Sequence, residues 1–334
     1  MTHSVLIIGC GSIGERHLRC FLRTQRARVI ACDTNASLLA RIVGTYAVEG
    51  IASWEEAIGR GGVTSAVICA PAPAHVPVAI RLLHAGVHVF IEKPLSHTLQ
   101  DVDTLVHARD DSGRQAAVAY VFHSFPVLQA ARAFIRNQSF GPVLQVTVNA
   151  GQPFHRLRPA YADTYYRSHA TGGGAIQDAL THAANWVESV VGPTDSVLCD
   201  AAHQSLPNVT VEDTVHVSAR HGPALVNYTL NQFQAPNETT IQFHATAGSV
   251  CVELHRQRWG TWAAGATEWT WHAVPPLERD DLFTAQANAF LDQVEGRPSG
   301  LCTLEAAAHT LRFNLAALAA ASSGARVDCR TLHA

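Results

Sequence analysis

A run of spaced glycines between a strand and a helix restricts this chain to few folds. Val5-Leu6-Ile7-Ile8 is an apolar run of strand length, and Gly9-Cys10-Gly11-Ser12-Ile13-Gly14 follows it directly, opening a helical stretch over residues 12–23. A buried strand that passes into a helix through such a run starts a βαβ unit. Gly9 permits the tight turn, Gly11 lets backbone approach a pyrophosphate, and Gly14 allows the helix to pack close. The N–H groups of Ser12 and Ile13 at the new helix's N-terminus are then available to phosphate. Asp33 ends the next apolar run, 28–32, about 20 positions after Gly14, where a carboxylate binds a ribose diol. Its charge favours NAD over NADP by repelling a 2′-phosphate. Thr34 and Asn35 offer no arginine in its place, which leaves Arg16 and Arg41 as cations able to fold back.

The same rhythm continues. Strands are expected at 65–69, 87–91 and 116–119, with helices at 75–84 and 99–109, and together these predict a doubly wound parallel sheet. In such sheets ligands bind at the carboxyl ends of the strands. Glu92-Lys93-Pro94 lies at that edge, directly after the run 87–91. A lysine there is a point charge with movable donors, able to polarise a substrate oxygen; a solvated lysine at a strand end is the plainer reading.

After Tyr120 the pattern changes. A helix at 125–136 leads into 143–148, which alternates with period two, and a loop rich in Arg and Tyr follows at 155–169. A helix at 173–191, strands from 211 to 254, a segment crowded with tryptophan, and helices at 282–294 and 304–321 complete the chain. These strands predict an α+β domain on one large open sheet, antiparallel or mixed, covered on one face. At 334 residues, two domains are expected: 1–120 and 121–334, with the C-terminal helix free to pack back on the first. A formal net charge of −3 gives no reason to expect nucleic acid or an anionic membrane as partner. No apolar run reaches membrane-spanning length. The chain enters its first strand with no basic leader, and the eight cysteines are scattered without a Cys-x-x-Cys. A cytoplasmic protein with reduced core cysteines is therefore expected, and the nineteen scattered histidines predict no metal site.

A second cluster is Gly172-Gly173-Gly174-Ala175-Ile176-Gln177-Asp178-Ala179-Leu180-Thr181-His182. Asp178 and His182 are i and i+4 on the predicted helix and so share a face. A histidine there can exchange a proton with a substrate hydroxyl near neutral pH, and Asp178 can orient it; the alternative is an amphipathic helix whose exposed face carries both. The preceding loop holds Arg156, Arg158, Tyr165 and Arg167, candidates for binding an acidic or N-acyl amino sugar, or else for a solvated or subunit-contacting surface. Tyr120 and His123 are further pocket candidates.

The glycine fingerprint, Glu92-Lys93-Pro94 and the Asp178-x-x-x-His182 helix, in this order, resemble the glucose–fructose oxidoreductase/inositol dehydrogenase/rhizopine-catabolism (Gfo/Idh/MocA) family. Ala70-Pro71-Ala72-Pro73-Ala74-His75 is similar to that family's strand-to-helix loop, so the resemblance spans nearly the full chain. It implies a Rossmann domain joined to an open-sheet domain, with the nicotinamide at their junction, and NAD(P)-dependent oxidation or reduction of sugars, cyclitols and related polyols. Ala70, Pro71, His75, Glu92 and Lys93 would join the glycine loop in holding the cofactor. Lys93 would position and polarise the reacting oxygen, His182 would act as general acid and base, and Asp178 would support His182 and bind substrate. Family helices often carry glycine two positions after the Asp and a second Asp three after the His; here these are Leu180 and Asn185, a departure that bears on substrate contacts more than on hydride chemistry. Two other readings stand beside the dehydrogenase. One is a redox-neutral epimerase or eliminase with recycled cofactor; the other is a non-catalytic dinucleotide-binding sugar sensor. A homodimer or homotetramer is expected, because an open sheet face calls for cover.

Overall fold

The computed structural model describes residues 3–332. These form two compact units. One holds the described residues up to Ser96 with Gln100–Ser124 and Leu277–Glu305; the other holds His97–Leu99, Phe125–Pro276 and the described residues from Ala306 onward.

The first unit begins β1 (His3–Ile8), α1 (Ser12–Arg23), β2 (Ala27–Cys32), α2 (Ala36–Tyr46), β3 (Glu49–Ile51) and α3 (Trp54–Arg60). It continues β4 (Ser65–Ile68), α4 (His75–His84), β5 (His88–Ile91), α5 (Val102–Ser112) and β6 (Ala116–Val118). All six strands are parallel, in the spatial order β3-β2-β1-β4-β5-β6. This is the predicted doubly wound sheet, with its order reversing between β1 and β4. Helices on both faces explain why strands such as β4, buried at every position, read as continuous apolar runs. Between 36 and 60 the chain adds α2, β3 and α3, which no strong pattern announces: α2 buries one residue, Ile42, and β3 is three residues long. Their helix starts are nonetheless local, since Asn35 and Ser53 accept backbone N–H groups as N-caps.

Strand register aligns Ile8 with Cys32 and Ile68, Ile68 with Ile91, and Ile91 with Val118. Gly9, Asp33, Cys69-Ala70, Glu92-Lys93 and Ala119-Tyr120 therefore leave the sheet along one edge.

The second unit contains α6 (Pro126–Arg136), β7 (Val143–Gly151), the single turn α7 (Phe154–Leu157), α8 (Thr181–Val191), β8 (Ser196–Ala202), β9 (Thr214–His221) and β10 (Ala224–Asn231). After these come β11 (Glu238–Ala245), β12 (Gly248–Glu253), β13 (Arg258–Ala263) and β14 (Thr270–Ala273). Helices α9 (Asp281–Val294) and α10 (Leu304–Ser323) and the short β15 (Val327–Asp328) end the described chain. The nine strands form one mixed sheet, β14-β13-β12-β11-β7-β10-β9-β8-β15, parallel only between β7 and β10. Period-two alternation puts Val215, Val217, Val226 and Tyr228 on the buried face. There Trp186 of α8 meets Phe243 edge-on at 5.5 Å, and Phe313 of α10 meets Tyr228 at 5.4 Å. The opposite face carries the cross-strand row Ser218, Asn227, Thr147 and Gln242, and exposed Leu198 and Leu225.

Helix α9 belongs to the first unit. Ala287, Phe290 and Leu291 join Val5, Ile7, Leu18, Phe21 and Phe90 in one core, with Phe290 stacked on Phe90 at 5.0 Å. Asp280, just before α9, accepts from Arg19 Nε at 2.5 Å and Nη2 at 2.9 Å, and burial contributes less to its state than this pairing, which holds its carboxyl below the usual range. Among the described residues no helix is long and apolar enough to cross a membrane.

Candidate active site

Each glycine of the first loop has its own structural reason. Gly9 sits at φ +89°, and a Cβ there would lie 2.9 Å from the Cys69 carbonyl carbon and oxygen. The loop after β1 thus touches the loop after β4, at the point where the sheet order reverses. A Cβ on Gly14 would lie 1.8 Å from the Gly9 carbonyl oxygen, so α1 can pack at this distance only with glycine. Gly11, the N-cap of α1, is different: nothing lies within 4 Å of its Cβ position. It leaves an open cradle beside the N–H groups of Ser12 and Ile13, as a pyrophosphate requires.

Asp33 is fixed to that loop. Its Oδ2 accepts from Cys10 N at 2.7 Å and its Oδ1 from Asn35 N at 2.8 Å. The two arginines able to reach back are engaged elsewhere. Arg41 Nη2 donates to Glu15 at 2.8 Å, which Tyr46 also approaches at 2.8 Å, and the Arg41 bond holds the Glu15 carboxyl below its ordinary range. Arg16 lies 3.6 Å from Asp280 and 4.8 Å above the Phe283 ring. The residues present fit a dinucleotide.

Two buried side chains brace the neighbouring loops. His75 places Nδ1 2.9 Å from the Pro94 oxygen and Nε2 2.8 Å from the Ala70 oxygen, and burial pushes its pKa down. It therefore packs between the loop holding Ala70 and Pro71 and the turn that follows Lys93, and its one ring N–H bonds one of the two carbonyls. Glu92 is also buried, with Oε1 2.6 Å from His17 Nε2 and Oε2 accepting from Lys93 N at 3.0 Å. Both residues hold the frame around Lys93, which is half-buried and joined to Pro94 by a cis peptide. Tyr120 and His123 are buried in the turn after β6. The sequence pattern missed His17 as the partner of Glu92. Its signal is position, since it shares the inward face of α1 with Gly14, Leu18 and Phe21.

In the second unit the predicted helix 173–191 differs in its first turns. Ile176–Leu180 forms a π turn, and α8 begins at Thr181. Glu212 lies at its entrance, where Oε1 accepts from Ile176 N at 2.8 Å and its carbonyl accepts from Ala175 N at 3.0 Å. A Cβ on Gly174, at φ +87°, would lie 2.6 Å from the Glu212 carboxylate, and one on Gly173 would lie 2.2 Å from the Tyr166 carbonyl oxygen. The glycine run is therefore a docking surface for Glu212 and for the Tyr165-Tyr166 backbone. His169 Nε2 lies 2.5 Å from Glu212 Oε2, and this bond raises the His169 pKa. Neither Glu212 nor His169 stands out in sequence, because they meet the helix only through the fold.

The π turn carries Asp178, and the first turn of α8 carries His182. Wider turns rotate less per residue than α turns, so i and i+4 come closer to a common line. Asp178 is buried, and Tyr165 donates its hydroxyl to Asp178 Oδ1 at 2.6 Å. Arg158 Nη1 lies 3.5 Å from the same hydroxyl oxygen. Burial, and then the Asp178 charge, push the Tyr165 pKa well up, so it remains a neutral donor. Arg156, Arg158 and Arg167 are exposed. Of the loop candidates, Tyr165 and Arg158 are thus brought to Asp178. Asn185 is buried and donates to Thr310 Oγ1 of α10 at 2.9 Å. Among the described residues no group of three or more His, Cys, Asp or Glu side chains stands ready to hold a metal.

Comparison with known proteins agrees with this fold. Residues 3–120 match the model of an oxidoreductase family with an NAD-binding Rossmann fold, and residues 128–251 match the GFO/IDH/MocA C-terminal domain. The 1,5-anhydro-D-fructose reductase of Ensifer adhaerens is 24% identical over 97% of this chain and 98% of its own. The inositol 2-dehydrogenase of Rhizobium meliloti is 23% identical over 98% and 97%. Levoglucosan dehydrogenase, solved with NADH and levoglucosan, shares the fold with a TM-score of 0.89 at 18% identity, covering 98% of this chain and all of that one. The chain belongs to the Gfo/Idh/MocA family of NAD-binding oxidoreductases.

Proposed function

We propose that this enzyme transfers hydride between a nicotinamide dinucleotide, NAD in preference to NADP, and a hydroxyl-bearing carbon of a sugar, cyclitol or sugar derivative. The observation that carries the reading is the pair Asp178 and His182. A buried carboxylate held by a phenol, one turn before a histidine on the same helix, is machinery for moving a proton, which a pure sensor does not need. The dinucleotide supplies the hydride acceptor when bound, and the open cradle at Gly11 and the fixed Asp33 favour its seat. Lys93 would polarise and position the substrate oxygen from a turn that His75 and Glu92 hold still. In the oxidative direction His182 takes the hydroxyl proton, and Asp178 orients His182 and stabilises the imidazolium that forms.

Tyr120, His123, Arg156, Arg158, Tyr165 and Arg167 complete the proposed substrate set. The relatives named above act, by their names, on polyhydroxylated rings, which supports the substrate class. The exposed leucines on the open sheet face favour a homodimer or homotetramer, which light scattering tests. The reaction is tested by screening sugars, uronates, amino sugars and inositols with both cofactors, following NAD(P)H absorbance and product structure. Hydride transfer to NAD⁺ from at least one polyol is expected. Tight NADH binding with no turnover across the panel would leave the sensor reading in its place.

A further inference from the structure

We infer that Tyr165 is the positioning residue for Asp178, setting the charge and orientation of that carboxylate, and that the Gly172-Gly173-Gly174 run and Thr171 serve to hold it there. The role of Asp178 in proton transfer belongs to the reading above; the bond that controls it does not depend on that reading.

The contacts converge. Tyr165 donates to Asp178 Oδ1 at 2.6 Å, the length of a strong bond to a charged acceptor. A buried carboxylate needs such a donor to remain ionised, because burial alone favours the protonated acid. With the phenol on Oδ1, the other oxygen of Asp178 has its direction set. Tyr165 is held from its backbone side as well: Thr171 Oγ1 donates to the Tyr165 carbonyl at 2.7 Å, and the Ser168 carbonyl lies 3.0 Å from the same hydroxyl. A Cβ on Gly173 would fall 2.6 Å from the Tyr165 carbonyl oxygen. Gln177, one residue before Asp178, donates to the His169 and Gly173 carbonyls at 3.1 and 3.2 Å. The loop and the π turn are thus clamped at several points, the phenol–carboxylate bond among them. Arg158, 3.5 Å from the phenol oxygen, adds a cation that polarises the O–H toward Asp178.

The test is a titration of the Asp178 side-chain carboxyl carbon by NMR in wild type and Tyr165→Phe, with Asp178→Asn identifying the resonance. The Phe variant keeps the ring and loses one donor. Asp178 is expected to titrate about one pH unit higher, the worth of a hydrogen bond to a charged group. In carbonyl reduction, where His182 must be protonated, the acid limb of kcat/KM is expected to move by the same amount. An unchanged Asp178 titration overturns the inference. So does a Phe variant whose KM rises while its pH profile stays in place, since that leaves Tyr165 a substrate contact alone. If Tyr165→Phe does not fold, Thr171→Val is titrated instead, and an unmoved Asp178 there overturns the inference too. Full activity in Asp178→Asn, by contrast, removes the proposed catalytic role and leaves the titration result standing.

Discussion

Gly11→Ala and Gly14→Ala separate two demands that one glycine run meets. At Gly14 a methyl would lie 1.8 Å from the Gly9 carbonyl oxygen, a backbone atom that moves only if α1 moves. Overpacking costs about 1–3 kcal/mol where neighbours can shift, and this neighbour is backbone, so about 3 kcal/mol is expected. For a unit of this size that lowers Tm by about 6–12 °C. Gly11 is the opposite case, with nothing within 4 Å and a backbone of φ −61°, ψ −170° that any residue adopts. Removing glycine's freedom from the unfolded chain stabilises by about 0.4–1 kcal/mol. Alanine is a poorer N-cap by a similar amount, so Tm should stay within about 2 °C. On the proposed cofactor seat, the new methyl would instead stand where a pyrophosphate meets the N–H groups of α1. Losing one bond to a charged group, about 1.5–3 kcal/mol, weakens NADH about 10–100-fold. Melting by fluorimetry and NADH titration by fluorescence read the two effects separately. Wild-type NADH affinity in Gly11→Ala would remove the pyrophosphate from this loop, and wild-type melting in Gly14→Ala would refute the packing account.

Lys93→Ala and His182→Ala are each expected to lower turnover by about 10²–10⁴-fold with NADH binding nearly unchanged; a near-wild-type rate in either variant on a confirmed substrate contradicts the proposed roles. Asp33→Ala should weaken NADH about tenfold and narrow the gap to NADPH, and an unchanged ratio of the two dissociation constants argues against a ribose contact. Glu188 of α8 is buried, accepting from Thr194 Oγ1 at 2.8 Å and Thr310 Oγ1 at 2.5 Å, and burial pushes its carboxyl from 4.5 up to about 7. A raised pKa means its stabilising contribution is full below pH 4.5 and is lost as pH rises through 7, a difference of about 3 kcal/mol. Glu188→Gln should therefore melt higher than wild type at pH 8, the advantage vanishing near pH 4.5; equal melting at pH 8 disproves the buried-acid account.

The features legible in sequence are those set by local backbone demands. Gly9 and Gly14 are readable because a tight turn and a close helix leave no room for a side chain, and Asp33 because strand and helix lengths fix its distance from them. The alternation in β9 and β10 gave the open sheet for the same reason. What the sequence conceals depends on distant partners. The π turn that holds Asp178 is shaped by Glu212, which lies 36 positions from Ile176. Tyr165 reads as one more polar loop residue until folding brings it to Asp178. His75 and Glu92 read as groups for a ligand, and their observed partners are the Pro94 and Ala70 carbonyls and His17. No local pattern says which helix closes the first core.

That closure has a consequence for how the protein is made. Arg19 and Asp280, joined in the folded state, are 261 positions apart, and Phe290 fills the core between Phe21 and Phe90. The sheet that carries the glycine loop is translated first, yet its hydrophobic wall stays open until α9 leaves the ribosome. Contacts this far apart along the chain form slowly, and the exposed half-core is in the meantime a surface prone to aggregation. The first unit to be synthesised is thus among the last to be finished, and a chain interrupted near Pro276 would lack the piece its opening strands require.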